Sequence, residues 1–186
     1  MAARLSLASY IRSAKAPWVS LLVVKEGQRP DKLIPSLDGF SVNVLRGVKC
    51  RTAAGLFAEF ADVLQFPDYF GHNWDALEEC LTDLEWRPAK GYVLLVTDAE
   101  QVLLRDEEDY ATFLEVLSDA GEAWASGQPG MGSKRATPFH VLLVVSAQAK
   151  KHRAHWAVPE VFLEPPRTPN IERGSRSGIL PSRHKK

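Results

Sequence analysis

Three short runs constrain this chain more than anything else in it. Residues 18–24 read WVSLLVV, residues 92–96 read YVLLV, and residues 139–145 read FHVLLVV. All three are short and almost continuously apolar, so each reads as a strand covered on both faces. A fourth run, residues 40–45 (FSVNVL), alternates apolar and polar positions, as a strand with one buried face does. Gly47 marks the bend after it. Between the runs lie segments of helical period. Thr52 can cap a helix that carries Leu56, Phe57, Phe60, Val63 and Leu64, with Gly55 weakening it slightly. Asn73 can cap one with Trp74, Leu77, Leu81 and Leu84, and a third carries Tyr110, Phe113, Leu114, Leu117 and Trp124. Buried strands alternating with helices predict an α/β fold. Its small, mainly parallel sheet has three core strands, with a fourth available from residues 18–24, and helices cover it.

At 186 residues the chain holds one ordinary domain with extensions. Residues 1–39 form an N-terminal extension, with a short amphipathic helix (Leu5, Leu7, Ala8, Ile11), the first strand, and a Gly/Pro-punctuated connection over 27–39. Residues 40–148 form the central domain, interrupted by a Gly/Pro/Ser-rich loop at 126–133. Residues 149–186 are basic, carry Pro159, Pro165, Pro166, Pro169 and Pro181, and read as a mostly disordered tail. Trp156, Val158, Val161, Phe162 and Leu163 give that tail a docking segment at 156–163.

No apolar run approaches the roughly 20 residues that span a membrane, and no secretory signal is evident. A cytoplasmic protein with no membrane association is expected. Cys50 and Cys80 lack any disulfide framework, and Cys80 lies beside a helical apolar stripe, where a thiol acts as a small hydrophobe. His152 and His155 have no Cys or acidic ligand at metal-site spacing. The acidic loop 106–109 lacks the alternating ligands and central glycine of a calcium loop and reads as solvated charge. No metal and no cofactor are expected.

Zero net charge hides a segregation. Residues 1–51 carry nine Lys/Arg against three Asp/Glu, or +6. Residues 52–122 carry three against 17, or −14, and residues 123–186 carry eleven against three, or +8. From Thr52 through Trp86 there is no Lys or Arg. Such a block attracts a cationic partner and repels phosphates, which argues against direct nucleic-acid binding by the central domain.

The block centres on residues 66–86, FPDYFGHNWDALEECLTDLEW. Pro67, Asp68 and Gly71 write a turn around Tyr69 and Phe70, and the helix capped by Asn73 follows. Asp75, Glu78, Glu79 and Thr82 recur on one face of that helix, opposed to its apolar stripe. The ordinary meaning of an acidic stripe is a solvated face, but such faces usually mix signs to gain i,i+4 pairs. This one is all negative, so something positive is expected against it. Gly71 and Asn73 also have plain structural readings, as turn and cap. His72 lies near Asp75 without a nucleophile placed beside it, so the chain is not expected to be an enzyme.

The stretch PDYFGHNWDALEECLTDL resembles the barstar family of ribonuclease inhibitors, and the likeness extends over about residues 40–146. The shared pattern is a Pro, an acid, two aromatics, Gly, a variable residue, Asn, another variable residue, Asp-Ala-Leu, and an acid-Cys-Leu-Thr run. The order strand, helix, short helix, strand, helix, strand is similar to that family's three-stranded parallel sheet. The resemblance implies a monomeric, intracellular bacterial immunity protein that presses its second helix and the preceding turn into a basic ribonuclease or nuclease toxin. It assigns partner contacts to Tyr69, to Gly71, His72 and Asn73 of the turn, to Asp75 and Glu79 of the helix, and to Asp119 on the following long helix. Glu79 stands where the family usually has Asp. Glu78 stands where Trp is common, so this face is more acidic and less apolar. Two other functions remain open on the residues alone: an interaction module with a non-nuclease partner, and a hydrolase built on His72 and the acidic cluster.

Overall fold

Valine and leucine on both sides of a strand require cover on both sides, and the observed sheet provides it. A computed structural model describes residues 7–29, 32, 34, 37–127, 135–153 and 155–161. The strands are β1 Val19–Val24, β2 Phe40–Arg46, β3 Gly91–Thr97, β4 Phe139–Ser146 and β5 Glu160–Val161. All pair in parallel, in the order β2-β3-β4-β1-β5. The helices are α1 Leu7–Ile11, α2 Ala53–Leu64, α3 Trp74–Asp83 and α4 Tyr110–Ser126. The α/β reading therefore holds, with two additions. The 18–24 run is an inner strand between β4 and β5, and the docking segment of the tail supplies a fifth strand not foreseen as one. Of that segment, residues 162 and 163 lie outside the described residues, as do Leu5, most of the 126–133 loop, and the tail beyond Val161.

Strand periodicity divides the core in two. Leu21, Leu94, Val96, Val141 and Leu143 face α2, α3 and α4. Leu22, Val24, Val93, Leu95, Leu142 and Val144 face α1 and Leu37 of the connection after β1. Every one of these side chains is at least nine-tenths buried. At about 1.5 to 3 kcal/mol for each fully buried aliphatic side chain, they dominate the stability of the fold. On the edge strand β2 the alternation runs opposite to the sequence reading: Asn43 and Leu45 are buried, with Asn43 Oδ1 accepting a hydrogen bond from Arg87, while Val42 and Val44 are exposed on the other face.

The N-terminal segment is fixed by specific contacts. Trp18 lies against α4 so closely that a Cβ on Gly121 would come within 2.3 Å of its Cβ. The Tyr10 hydroxyl donates to Pro17 O at 2.7 Å and lies 2.8 Å from Ser20 Oγ. Its ring packs on buried His140, at 4.3 Å between centroids. His140 Nε2 donates to Ser13 O at 2.6 Å, while burial holds its pKa below the ordinary imidazole value. This buried polar knot joins α1, β1 and β4.

Two loop readings change. The Asp106 carboxylate accepts the Ala53 N–H at 2.8 Å, beside the Thr52 side chain, which accepts from Gly55 N. Asp106 is thus a second cap for α2, because the first turn of a helix leaves several N–H groups unpartnered. Gly55 does more than weaken α2: a Cβ there would meet Lys49 O at 2.3 Å.

Candidate partner-binding surface

The surface is built on α3 and the turn before it. Asn73 is extended (φ −139°, ψ 174°), and its side-chain oxygen accepts from Ala76 N at 2.8 Å, closing an N-cap. Before it, Phe70 N donates to Pro67 O at 3.0 Å and turns the chain. Phe70 is buried against Phe66, 4.9 Å between centroids, and packs edge-on to Phe57. Phe57 also takes the edge of Trp74, at 4.9 Å. Trp74 is half-buried and belongs to the packing between α2 and α3. The left-handed residue of the turn is His72, at φ 51°, and not Gly71. Gly71 has a weaker requirement: a Cβ there would come 3.1 Å from Asn73 Nδ2. The His72 ring is held 4.7 Å from Phe70.

On this frame Tyr69 projects outward, with 70% of its surface exposed. Its phenol pKa is raised, first by desolvation and then by Cys80, Asp83, Glu79 and Glu85. The hydroxyl therefore belongs to the same electrostatic cluster as the second half of α3. Asp75 and Glu79 are exposed, four residues apart on one face, and Glu78 is half-buried beside them. Thr82 spends its hydroxyl on Glu78 O and Glu79 O, at 2.9 and 3.0 Å, and so adds no outward donor.

Asp83 and Glu85 were missed by sequence reasoning. Asp83 sits at the helix C-terminus, where the macrodipole disfavours a carboxylate. Its pKa is raised, by desolvation first and then by Glu85 and Glu79, against a hydrogen bond from the Glu85 backbone. One of its oxygens is buried without a hydrogen-bond partner. The missing signal was three-dimensional: Asp83 is eight residues after Asp75, but its nearness to Tyr69 depends on how the turn folds back. Asp119 is exposed on α4, whose Trp124 Nε1 donates to Leu81 O of α3 at 2.8 Å. The structure thus places Asp119 on the neighbouring helix, with no hydrogen bond or ion pair to the cluster among the described residues.

None of Asp75, Glu78, Glu79, Asp83 or Glu85 makes an ion pair among the described residues. An uncompensated row of carboxylates on a rigid, capped helix, with one exposed tyrosine alongside, is suited to receive a cationic surface. A family model described as Barstar (barnase inhibitor) matches residues 40–144. The chain belongs to the barstar family. Among the curated proteins, no match is found. The barstar region spans β2, β3 and β4 with α2, α3 and α4, and β1 and β5 lie outside it. These two strands extend the barstar sheet beyond β4. Barstars bind ribonucleases, so the coarse class of this chain is that of a barnase-inhibitor-like protein. Among the described residues, no helix is long and apolar enough to cross a membrane, and no group of three or more His, Cys, Asp or Glu is placed to hold a metal.

Proposed function

We propose that the protein inhibits a basic ribonuclease or nuclease toxin by seating α3 and the Tyr69 turn in its active site. The acidic face of α3, which makes no ion pair among the described residues, carries this reading. A ribonuclease site binds phosphate through cationic side chains. Asp75 and Glu79, held on a capped helix, would occupy the phosphate position and accept charge-assisted hydrogen bonds. Tyr69 would lie over a base-binding surface or a catalytic imidazole. Glu78 and Asp83 would add negative charge at the flanks, and Asp119 would contact the partner from α4. Gly71, His72 and Asn73 would set the direction of Tyr69. In this reading the protein acts by blockade, without turnover, as a cytoplasmic monomer. Residues 40–148 carry the inhibitory surface, residues 1–39 pack on it as support, and residues 149–186 are an appended tail.

The test is a pull-down at low salt with wild type and the Asp75→Ala/Glu79→Ala double variant side by side. A basic nuclease captured and inhibited by wild type, and released by the variant, is the expected result. A partner held equally by both would move the function off α3. Nuclease capture without inhibition would reduce the protein to an interaction module.

A further inference from the structure

The strand added before the barstar region changes the topology at one end of the sheet. The chain leaves the carboxyl ends of β2, β3 and β4 over the face that holds α2 and α4. After β4 it continues over that same face, where Ala149, Trp156 and Val158 pack. After β1 it leaves over the opposite face, where Ile34 and Leu37 pack. β1 and β4 are neighbours, paired from Val19↔Val141 to Val24↔Ser146. Adjacent parallel strands whose connections depart to opposite faces leave a crevice outside their carboxyl ends, the place where open α/β sheets bind ligands.

Two cavities of about 350 and 460 Å³ lie there, sharing Val24, Lys25, Glu26 and Ser146 as walls. Asp98 and Glu100 line the first, on the β3 side. Lys151 lines the second, on the far side. Lys25 and Glu26 face both. Among the described residues none of these five charged side chains makes an ion pair, although both signs are present. Glu100 keeps one buried oxygen without a hydrogen-bond partner. Asp98 is held in the left-handed region at φ 48°, and its carbonyl accepts from Gln101 N, so the corner that presents these acids is fixed by the backbone.

We propose that this crevice binds a small zwitterion of amino-acid type, its ammonium toward Asp98 and Glu100 and its carboxylate toward Lys25 and Lys151. Lys25 and Glu26 balance on the shared wall, so Asp98 and Glu100 leave the first cavity net negative and Lys151 leaves the second net positive, which favours a ligand with both charges over a simple anion or cation. Either cavity has room for a molecule of that size. The site is independent of α3, since none of its residues belongs to the Tyr69 turn or to that helix.

The experiment is calorimetric titration and thermal unfolding of the full chain with each of the twenty common L-amino acids. Every amino acid that binds is repeated as its amide, which lacks the carboxylate, and as its N-acetyl form, which lacks the ammonium. The expected result is binding of at least one amino acid, with both blocked forms weaker by about tenfold or more. Glu100→Gln and Lys151→Met should each weaken the same ligand by a similar factor, while far-UV circular dichroism shows both variants folded. Asp98→Asn serves as a further variant that tolerates the left-handed backbone. No binding by any amino acid overturns the proposal. So does equal binding of the amide or the N-acetyl form, or undiminished binding by folded Glu100→Gln and Lys151→Met.

Discussion

Glu59 and the α3 carboxylates come from the same Lys- and Arg-free stretch, yet the structure treats them in opposite ways. Glu59 on α2 is 2% exposed, and Arg46 grips it with two hydrogen bonds of 2.7 and 2.8 Å. The Arg46 backbone N–H adds a third at 3.0 Å, and Lys49 lies 3.7 Å away. Both cations come from the basic residues just before the acidic stretch. Burial pushes the Glu59 pKa up, but the hydrogen bonds and charge of Arg46 outweigh it and leave the carboxyl below its ordinary value. Among the described residues no cation pairs with the α3 carboxylates, and desolvation with like charge raises Asp83 instead. Paired acid joins α2 to the end of β2. Unpaired acid joins nothing among the described residues, and that contrast is the reason to seek its partner outside the domain.

The contrast breaks most visibly in binding. Asp75→Ala/Glu79→Ala should weaken the nuclease complex by about 3 kcal/mol or more, over a hundredfold in Kd. The unfolding midpoint should stay within the range of ordinary surface changes. Titration calorimetry and urea unfolding on the same samples check both. A large loss of stability with unchanged affinity would show the α3 acids to be structural.

Glu59→Gln should do the reverse. Removing one partner of a wholly buried pair costs about 3 to 5 kcal/mol. Because the Arg46 side chain is 47% exposed, about 2 to 3 kcal/mol is expected here. Glu59 titrates below its unfolded value, so its contribution is present above about pH 4.3 and is lost as pH falls through the folded pKa. The gap between wild type and Glu59→Gln in urea should therefore shrink as pH falls below about 4.3. Affinity at pH 7 should not change. A gap that does not shrink on acidification would assign the cost to packing and not to charge.

Asn73 stands between the two classes, as both cap and proposed contact. Asn73→Ala should cost about 1 kcal/mol of stability through the lost Ala76 N–H bond. Asn73→Asp keeps a capping oxygen and should restore it. If Asn73→Asp also keeps full affinity, the role of Asn73 in the complex is that of shaping the turn.

Much of this was legible in the chain because it follows from local period. The buried runs at β1, β3 and β4 and the caps at Thr52 and Asn73 are statements about near neighbours, whereas β2 turns Asn43 and Leu45 inward, on the face opposite to the one its alternation implied. The position of β1 was not legible. A strand of unbroken apolar residues demands cover but does not say which strand it pairs with, and β1 proves to lie inside the sheet. β5 was hidden because its two residues carry no alternation, and its pairing with Leu21 and Leu22 is set by docking of Trp156 and Val158. The role of Asp106 was hidden because its partner, Ala53 N, is 53 residues away. The barstar resemblance pointed to Tyr69, Asp75 and Glu79, but the shared pattern ends at Thr82, one residue short of Asp83.

Asp83 gives the sharpest form of the comparison because its sign is opposite to that of Glu59. Its folded pKa is raised, so its favourable contribution is present below its unfolded value, about pH 3.9, and is lost as pH rises through the folded pKa. At pH 7 the ionised carboxylate faces Glu85 and Glu79, at the end of the helix where the dipole also disfavours it. Asp83→Asn should therefore stabilise the free protein at pH 7, by about 0.5 kcal/mol, the scale of like-charge repulsion on a helix surface. The gain should fade toward pH 3, as the wild-type carboxyl takes up its proton. If α3 binds as proposed, the same variant should weaken the nuclease complex, because it removes a charge that the partner's cations would meet. A variant that is more stable alone and less tightly bound would show that α3 keeps a charge against the interest of its own fold. A loss of stability at pH 7 would place Asp83 with Glu59, among the acids that hold the fold together.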